Sequence, residues 1–542
     1  MSIWNKLESS FCKRTLKPLA IVLGWMLVAL IADKLHAAED AALVSLPQGQ
    51  ARGVLEEGIV VFKGLPYAAP PVGEQRWKAP RPPAGWTGVL DASAFGPGCP
   101  FIDGSKMEEG RWLTEGRLDL FIDVPLLAGT SEDCLYLNVW KPIDADKEPV
   151  MVWLQPTGAA STPFFDGSSF ARAGIVFVSL DFRQLSMGNF AHPALTAEAG
   201  PNAALGRFQT LDQLAALRWV EDNIALFGGD PERVTVFGQS AGGASVLQLL
   251  TLPESKGLID QAIVQSAGGW FEPLSLAQME RLGIALATKA GLPGVAATTE
   301  QLRALRPDAL AQLGVYSIDG RFQPENATTL IEAGLIHDVP LMIGWTDNDG
   351  SSLRSSTPQE VVQRASPDLL AAYAEEGLEG DALGYQLYTD EHVAAPARWI
   401  ARKASDGAPT FLYVYTHVLS LQRGRVRGAN HGAELPFVFD VWDKALPQLP
   451  LDETDRAVTK LMHSCWTSFA KTGTPQCEGT PTWPRYDAES APVMKLDARS
   501  EVLTKFRQRQ LDAQEQAWQQ NKSDSARRVE EAVQALVVEL AQ

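Results

Sequence analysis

The fold is decided at residues 227–242, which read FGGDPERVTVFGQSAG. Residues 234–237 are patterned like a short buried strand, and apolar residues return at helical spacing from Val246. Between them, Ser240 has a glycine two positions away on either side. A strand, a sharp turn through a serine and a helix form a nucleophile elbow, whose strained turn leaves no room for flanking side chains. The pattern therefore predicts that the Ser240 hydroxyl stands at the tip of the turn, with N–H groups of the following helix aimed at it.

Apolar runs on either side of this stretch predict an α/β fold with a largely parallel sheet. They are apolar throughout rather than alternating, and helical periodicity separates them, as at 211–226. Such strands are typical of a twisted parallel sheet with helices on both faces. Residues 270–335 and 355–405 are interpreted as helical insertions over the carboxyl edge of the sheet, where such proteins bind ligands. The predicted strands are 58–63, 135–139, 150–154, 175–180, 234–237, 262–265 and 339–344.

The N-terminus, residues 1–38, is predicted to be a signal peptide. Four basic residues precede the apolar run at 19–32, and the small residues Ala37 and Ala38 follow it. This order is typical of a secretory signal; an uncleaved membrane anchor is the alternative, because the run is only slightly short for a span. Both interpretations predict an exported protein. A cleaved signal would leave the protein periplasmic or secreted, and an uncleaved one would leave it anchored in the membrane. The net charge of −18 argues against nucleic acid and against an anionic membrane surface as partners.

The remaining chain is interpreted as one catalytic domain at 39–507 and a C-terminal segment at 508–542. This segment is polar and glutamine-rich as far as Asp524, and apolar residues then recur at helical spacing up to Leu540. The resulting amphipathic helix either packs on the body of the protein or mediates self-association. The sequence is therefore compatible with a monomer and with a homodimer.

Four cysteines remain after the signal segment, an even number that suits an oxidising compartment. Sequence alone permits three pairings of them. The pairing of nearest neighbours requires the least chain closure. It joins Cys99 to Cys134 and Cys465 to Cys477.

A nucleophilic serine needs a base and an acid that orients the base. The candidate base is His431, which lies between glycines in RGANHGAELPFVF at 427–439 and is predicted on a loop tip. The acid is expected after the strand at 339–344. Both Asp347 and Asp349 follow that strand, and Gly350 slightly favours Asp349 because it indicates a sharp turn there.

These residues and motifs resemble the type-B carboxylesterase/lipase family, which includes the cholinesterases. The resemblance covers about residues 41–490 and implies an α/β-hydrolase fold with helical insertions over the active site. It implies Ser240 as nucleophile, His431 as base and Asp349 as acid, and an early disulfide from Cys99 to Cys134. The motifs that carry it are FGGDPERVTVFGQSAG, EDCLYLNVWKP at 132–142, GLPYAAPPVGEQRW at 64–77, HGAELPFVF at 431–439 and FAKTGTP at 469–475.

The oxyanion hole departs from the family pattern. Where the family has His-Gly-Gly-Gly after its strand, this chain has Gln-Pro-Thr-Gly-Ala at 155–159. By position the N–H donors are Thr157, Gly158 and Ala241. The segment that begins at Asp181 also departs, reading Asp-Phe-Arg where the family has Asn-Tyr-Arg.

The sequence predicts a serine carboxylesterase that hydrolyses small-molecule esters through an acyl-enzyme, without a metal or organic cofactor. The alternatives are a catalytically impaired, cholinesterase-like binding protein and a lipase. Arg425 and Arg427 precede His431 in an otherwise acidic chain. They are either solvated charges or a basic rim for esters with free carboxylates, since arginine binds carboxylate through two hydrogen bonds.

Overall fold

The computed structural model describes residues 41–100, 128–156, 160–201, 203–270, 272–310, 317–353 and 356–541. The predicted signal segment lies outside the described residues. The predicted oxyanion donors Thr157 and Gly158 also lie outside them.

The strands of the described residues form one large sheet and two small ones. The strands are β1 (Leu43–Leu46), β2 (Gly49–Arg52), β3 (Val54–Glu56), β4 (Ile59–Pro66), β5 (Val89–Asp91), β6 (Tyr136–Pro142), β7 (Glu148–Leu154), β8 (Val176–Leu180), β9 (Gly229–Gln239), β10 (Gln261–Gln265), β11 (Leu274–Ser275), β12 (Ser317–Ile318), β13 (Leu341–Thr346), β14 (Thr410–Tyr415), β15 (Pro492–Leu496) and β16 (Glu501–Thr504). Within the described part of the chain, the large sheet has eleven strands in the order β16-β15-β14-β13-β10-β9-β7-β8-β6-β4-β3.

The centre of the large sheet is parallel. All neighbours from β8 through β7, β9, β10, β13 and β14 to β15 pair in parallel, and antiparallel strands flank them on both sides. The predicted mostly parallel sheet is therefore confirmed. Strand β14, which reads TFLYVY, was not among the predicted strands, although its unbroken apolar run carries the same signal as the others.

Helices cover both faces of the sheet, as predicted. The described helices are α1 (Ser168–Arg172), α2 (Leu185–Gly188), α3 (Pro193–Ala199), α4 (Phe208–Asn223), α5 (Ala241–Leu249), α6 (Leu276–Lys289), α7 (Thr299–Arg303), α8 (Ala327–Glu332), α9 (Pro358–Arg364), α10 (Pro367–Tyr373), α11 (Gly380–Thr389), α12 (Ala395–Ala404), α13 (Leu435–Phe439), α14 (Trp442–Ala445), α15 (Glu453–Thr472), α16 (Gln508–Gln520) and α17 (Lys522–Ala541).

Strand β7 explains why the central strands are apolar throughout. Successive side chains of a strand point to opposite faces. Val152 and Leu154 belong to the core on the face covered by α4, α5 and α12. Met151 and Trp153 belong to the core on the other face, covered by α1, α13 and α15. Because both faces are buried, both sets of side chains must be apolar.

The C-terminal segment is helical throughout its described length. The polar stretch forms α16, which two ion pairs hold against α12: Arg398 with Asp512 at 2.5 Å and Arg402 with Glu515 at 2.6 Å. Its polar composition gave no apolar stripe, so no helix was predicted there. The apolar residues of α17, including Val533, pack with those of α6 in one buried cluster. The apolar stripe of this helix therefore lies against the body of the protein.

Two disulfides join Cys99 to Cys134 and Cys465 to Cys477. No helix in the described part of the chain is both long and apolar enough to span a bilayer. The same residues contain no cluster of three or more histidine, cysteine or acidic side chains arranged to bind a metal ion.

Candidate active site

The serine turn has the strained geometry that the sequence predicts. Ser240 joins the end of β9 to the start of α5. Its backbone dihedral angles, φ 55° and ψ −121°, lie in a region that residues other than glycine rarely adopt. A Cβ atom added to Gly238 would lie 2.5 Å from the carbonyl carbon of Gly242. One added to Gly242 would collide with the carbonyl oxygen of Leu154 on β7. The glycines therefore let the strand, the turn and the helix pack closely enough to present Ser240.

The side chains of Asp349 and His431 are in contact. Asp349 follows β13, and its Oδ1 lies 2.5 Å from Nδ1 of His431. The Asp349 carboxylate is fully buried, and its Oδ2 accepts hydrogen bonds from the Ser266 hydroxyl at 2.9 Å and from the Thr346 main-chain N at 2.8 Å. These donors fix the orientation of the carboxylate and hence that of the imidazole.

The other nitrogen of His431 faces the serine turn. Its Nε2 lies 3.1 Å from Nε2 of Gln239, the residue before Ser240. Because the Asp349 carboxylate accepts a hydrogen bond from Nδ1–H, neutral His431 has its lone pair at Nε2, where it accepts a hydrogen bond from the Gln239 amide. The main-chain N of His431 donates to the Ser351 hydroxyl at 2.8 Å. The imidazole is thus held between the acid loop and the end of β9.

Asp347, the other candidate acid, has a different partner. Its Oδ1 accepts a hydrogen bond of 2.6 Å from the main-chain N of Ala429. Burial raises the pKa of Asp347 to about 7, and the negative charge of Asp349 adds to this effect. The neighbouring Asn348 also binds this segment, donating to Asn430 at 2.7 Å. Asp347 therefore supports the segment that leads to His431, and Asp349 contacts the imidazole.

A second buried carboxyl group lies close to this pair. Glu434 is 1% exposed and accepts a hydrogen bond of 3.1 Å from the Gln265 side chain. Burial raises the pKa of Glu434 to about 7, and the charge of Asp349 contributes. Gln265 also accepts a hydrogen bond from Trp466 at 3.0 Å. This network forms a polar layer beneath the Asp349–His431 pair.

Sequence reasoning missed four residues of this site. Ser266 and Gln265 stand at the end of the predicted strand at 262–265, and Gln239 is the variable residue within G-x-S-x-G. The carboxyl ends of neighbouring parallel strands meet at one edge of the sheet, so these positions could have been singled out. Glu434 lies within the motif at 431–439 and had no such signal of its own.

Ala241, the third predicted oxyanion donor, is the first residue of α5. Although Thr157 and Gly158 lie outside the described residues, both flanks of their segment are described. On one side Leu154 packs against Gly242. On the other side, the main-chain N of Ala160 donates to Asp181 at 2.9 Å. Both flanks are therefore fixed, the first of them against the helix that begins after Ser240.

The arginines before His431 differ in their surroundings. Arg423 is bound to Asp452 at 2.9 Å and so is not free to receive a ligand. Arg425 and Arg427 are exposed, and neither forms an ion pair with an acidic side chain of the described residues. The Arg427 guanidinium lies 5.0 Å from the ring centre of Tyr385 on α11. The backbone of that helix packs closely against the loop that carries Asp349. A Cβ atom on Gly350 of this loop would collide with the Tyr385 carbonyl oxygen.

The sequence profile of the carboxylesterase family matches residues 40–371 and 381–515 of the chain. Para-nitrobenzyl esterase of Bacillus subtilis (strain 168) is 35% identical over 490 residues, which cover 84% of this chain and 95% of that protein. Fumonisin B1 esterase of Sphingopyxis macrogoltabida is 32% identical over 506 residues, which cover 86% and 89%. The residues that the family profile matches include the serine turn and the loops of Asp349 and His431.

Solved structures show the same similarity. A PNB esterase superposes with a TM-score of 0.73 at 29% identity, over 87% of this chain and 99% of that one. A carboxylesterase of Geobacillus stearothermophilus superposes with a TM-score of 0.73 at 30% identity, again over 87% and 99%. Both agree with an α/β-hydrolase fold. The whole of α17 lies beyond the last residue that the family profile matches.

Proposed function

The chain belongs to the carboxylesterase family and is a carboxylic ester hydrolase, and on this premise we propose that it acts through Ser240, His431 and Asp349. The observation that carries the proposal is the position of His431. One ring nitrogen contacts the buried Asp349 carboxylate, and the other faces Gln239, immediately before Ser240. An imidazole so oriented can take a proton from a hydroxyl at the end of β9.

In the proposed cycle the Ser240 hydroxyl attacks the ester carbonyl carbon while Nε2 of His431 takes its proton. The main-chain N–H of Ala241, with those of Thr157 and Gly158, stabilises the negative oxygen of the tetrahedral intermediate. The alcohol leaves with the proton from His431, and an acyl group stays on Ser240. Water then attacks the carbonyl carbon of the acyl-enzyme while Nε2 of His431 takes a proton from it. His431 returns this proton to the Ser240 oxygen as the carboxylic acid is released.

A serine-directed fluorophosphonate tests this mechanism in the full-length protein. We expect hydrolysis of p-nitrophenyl acetate to stop in proportion to labelling, with one adduct on the peptide that contains Ser240. Ser245, five residues further along α5, is the matched control, and Ser245→Ala should still be labelled. Absence of both turnover and adduct would instead support the binding-protein alternative. A rise in rate only above the micellar limit of the ester would support the lipase alternative.

The proposed substrates are esters that carry free carboxylates. Two exposed arginines without acidic partners among the described residues, Arg425 and Arg427, precede the proposed base on its own segment. The ring of Tyr385 lies beside Arg427, which favours a defined position for its guanidinium. In a chain with a net charge of −18, such a cationic rim would be the local attraction for an anionic ester.

We further propose that the protein is exported. The N-terminal pattern of basic residues, apolar run and small residues supports this, as do the two disulfides of the folded domain. Cell fractionation with N-terminal sequencing of the recovered protein is the test. A chain that stays in the cytoplasm with residues 1–38 intact would contradict export, and an intact N-terminus in the membrane fraction would support the anchor.

A further inference from the structure

Arg207 is a buried cation that has no part in the steps above. It directly precedes α4 and is 3% exposed. Its guanidinium donates to the main-chain oxygen of Ser317 on β12, to the Thr210 hydroxyl at 3.0 Å and to the side-chain oxygen of Gln248 on α5 at 2.7 Å. All three acceptors are neutral. Arg207 therefore joins α4, α5 and β12 without receiving a counter-charge through any of these bonds.

The other buried arginines of the described residues are each paired with a carboxylate. These pairs are Arg76 with Glu132, Arg183 with Asp212 and Arg398 with Asp512. Such pairing is expected, because a guanidinium keeps its proton and an unpaired charge is costly to remove from water. Arg207 differs from them, since it forms no ion pair with any acidic side chain in the described part of the chain.

The charge of Asp319 acts on Arg207, but its carboxylate is bound elsewhere. Its Oδ2 accepts a hydrogen bond from the main-chain N of Leu205 at 3.0 Å. Its Oδ1 accepts from the main-chain N atoms of Arg321 at 3.1 Å and Gln323 at 3.0 Å. Burial lowers the pKa of Arg207 to about 10, although the charge of Asp319 opposes this effect. The attraction to Asp319 therefore does not compensate for the burial of the guanidinium.

A cavity of about 40 Å³ lies beside Arg207, between α5, β12 and α8. Gln248, Ser317 and Gln323 also line it. Gln323 is 1% exposed, and none of the described residues donates to its side-chain oxygen. Its amide can therefore turn its N–H groups towards a bound acceptor. Since roughly 10–15 Å³ is enough for one water molecule, the cavity has room for a small anion.

We propose that this cavity binds a small monovalent anion, of the size and charge of chloride, which supplies the counter-charge of Arg207 in the folded protein. The guanidinium provides the positive charge, and the Gln323 amide provides a further donor. A monovalent anion neutralises the single cation, whereas a divalent anion would leave an uncompensated negative charge beside Asp319. An anion that binds the folded chain and not the unfolded one stabilises the fold. Ser240 and His431 do not line this cavity, so the anion site and the proposed ester hydrolysis are tested separately.

The test follows the midpoint of thermal unfolding, Tm, of the full-length protein at constant ionic strength while sodium chloride replaces sodium gluconate. Gluconate has the same charge as chloride but is too bulky for the cavity. Above the dissociation constant, each tenfold rise in chloride should raise the wild-type Tm by about 1 °C. Broadening of the chloride NMR line by the protein measures binding directly. Arg207→Gln removes the cation and should lose both effects.

Two variants at Gln248 separate charge from packing. Gln248→Glu places a carboxylate within hydrogen-bonding distance of the Arg207 guanidinium, so it should raise Tm in gluconate and lose the chloride dependence. Gln248→Leu removes the neutral acceptor without adding a charge and should keep the chloride dependence. Arg398→Gln is the matched control, because it removes a buried arginine that already has a carboxylate partner. It should also keep the chloride dependence.

A wild-type Tm that is equal in chloride and in gluconate would overturn the inference. The same chloride dependence in Arg207→Gln as in the wild type would also overturn it, because the anion would then bind elsewhere. If Arg207→Gln does not fold, Gln248→Glu decides, and an undiminished chloride dependence in that variant would likewise overturn the inference.

Discussion

The Oδ1 atom of Asp347 accepts a hydrogen bond of 2.6 Å from the main-chain N of Ala429, two residues before His431. Asp349, on the same loop, contacts the His431 imidazole at 2.5 Å. One loop after β13 therefore supports the segment that carries His431 and also orients its ring. The two carboxyl groups are chemically alike, so a comparison of their variants separates these contributions.

Asp349→Asn should lower kcat for p-nitrophenyl acetate by about 10⁴-fold, because an amide stabilises the wrong imidazole tautomer. Asp347→Asn keeps an oxygen for the Ala429 N–H, so we expect a loss of less than about tenfold. Circular dichroism should confirm that both variants are folded. Equal losses in two folded variants would contradict the proposed assignment of Asp349 as the acid.

Arg425→Gln combined with Arg427→Gln should raise KM for an ester with a free carboxylate and leave KM for a neutral ester of equal size unchanged. The reason is the loss of the two cations nearest to His431 in sequence, neither of which forms an ion pair with a described acidic side chain. Steady-state kinetics on a matched pair of anionic and neutral esters measures this difference. Arg218→Gln removes an exposed arginine of α4 and is the control. Equal changes for both esters would reject the proposed basic rim.

Gln239→Glu should move the acidic limb of the kcat/KM profile to higher pH. The Gln239 amide donates to Nε2 of His431 at 3.1 Å, and a carboxylate there would stabilise the protonated imidazole. More of the base would therefore be protonated at a given pH. Gln239→Leu is the control: it removes the amide donor without adding a charge, so it should move the acidic limb in the same direction but by less than Gln239→Glu does. An unchanged limb in Gln239→Glu would mean that this contact is absent in the working enzyme.

Asp497 is expected to contribute to stability at all but strongly acidic pH. Burial alone would raise the pKa of Asp497, but hydrogen bonds from His417, the Ala498 main chain and Thr416 outweigh it and lower the pKa to about 2. Because the ordinary pKa is 3.8, the folded protein binds fewer protons than the unfolded chain between these values. The stabilisation is present above about pH 4 and is lost as the pH falls through 2.

Urea unfolding of Asp497→Asn and the wild type measures this contribution. At pH 7 the variant should have a lower free energy of unfolding, by about 2 kcal/mol. The difference should shrink as the pH falls from 4 towards 2. Asp443→Asn, at an exposed position, should match the wild type throughout. A difference between Asp497→Asn and the wild type that did not change with pH would indicate lost packing rather than a shifted pKa.

Local patterns accounted for most of the central sheet. The sequences of five central strands could be recognised as unbroken apolar runs, because a strand buried on both faces needs apolar side chains at every position. These strands are β7, β8, β9, β10 and β13. Helix α16 could not be recognised in this way. Its contacts with α12 include the ion pair of Arg398 with Asp512 and the ring contact of Trp399 with Trp518, whose partners are far apart in the sequence.

By itself the sequence determined the turn at Ser240, because a strained turn between a strand and a helix admits only glycine at the crowded positions, and these are close in the chain. It also narrowed the acid to Asp347 or Asp349. Only the tertiary structure decided which of them contacts His431 and brought Ser266 and Gln239 to that pair. It alone joined Asp181 to Ala160. Such contacts depend on where distant segments meet at the carboxyl edge of the sheet, which local spacing does not specify.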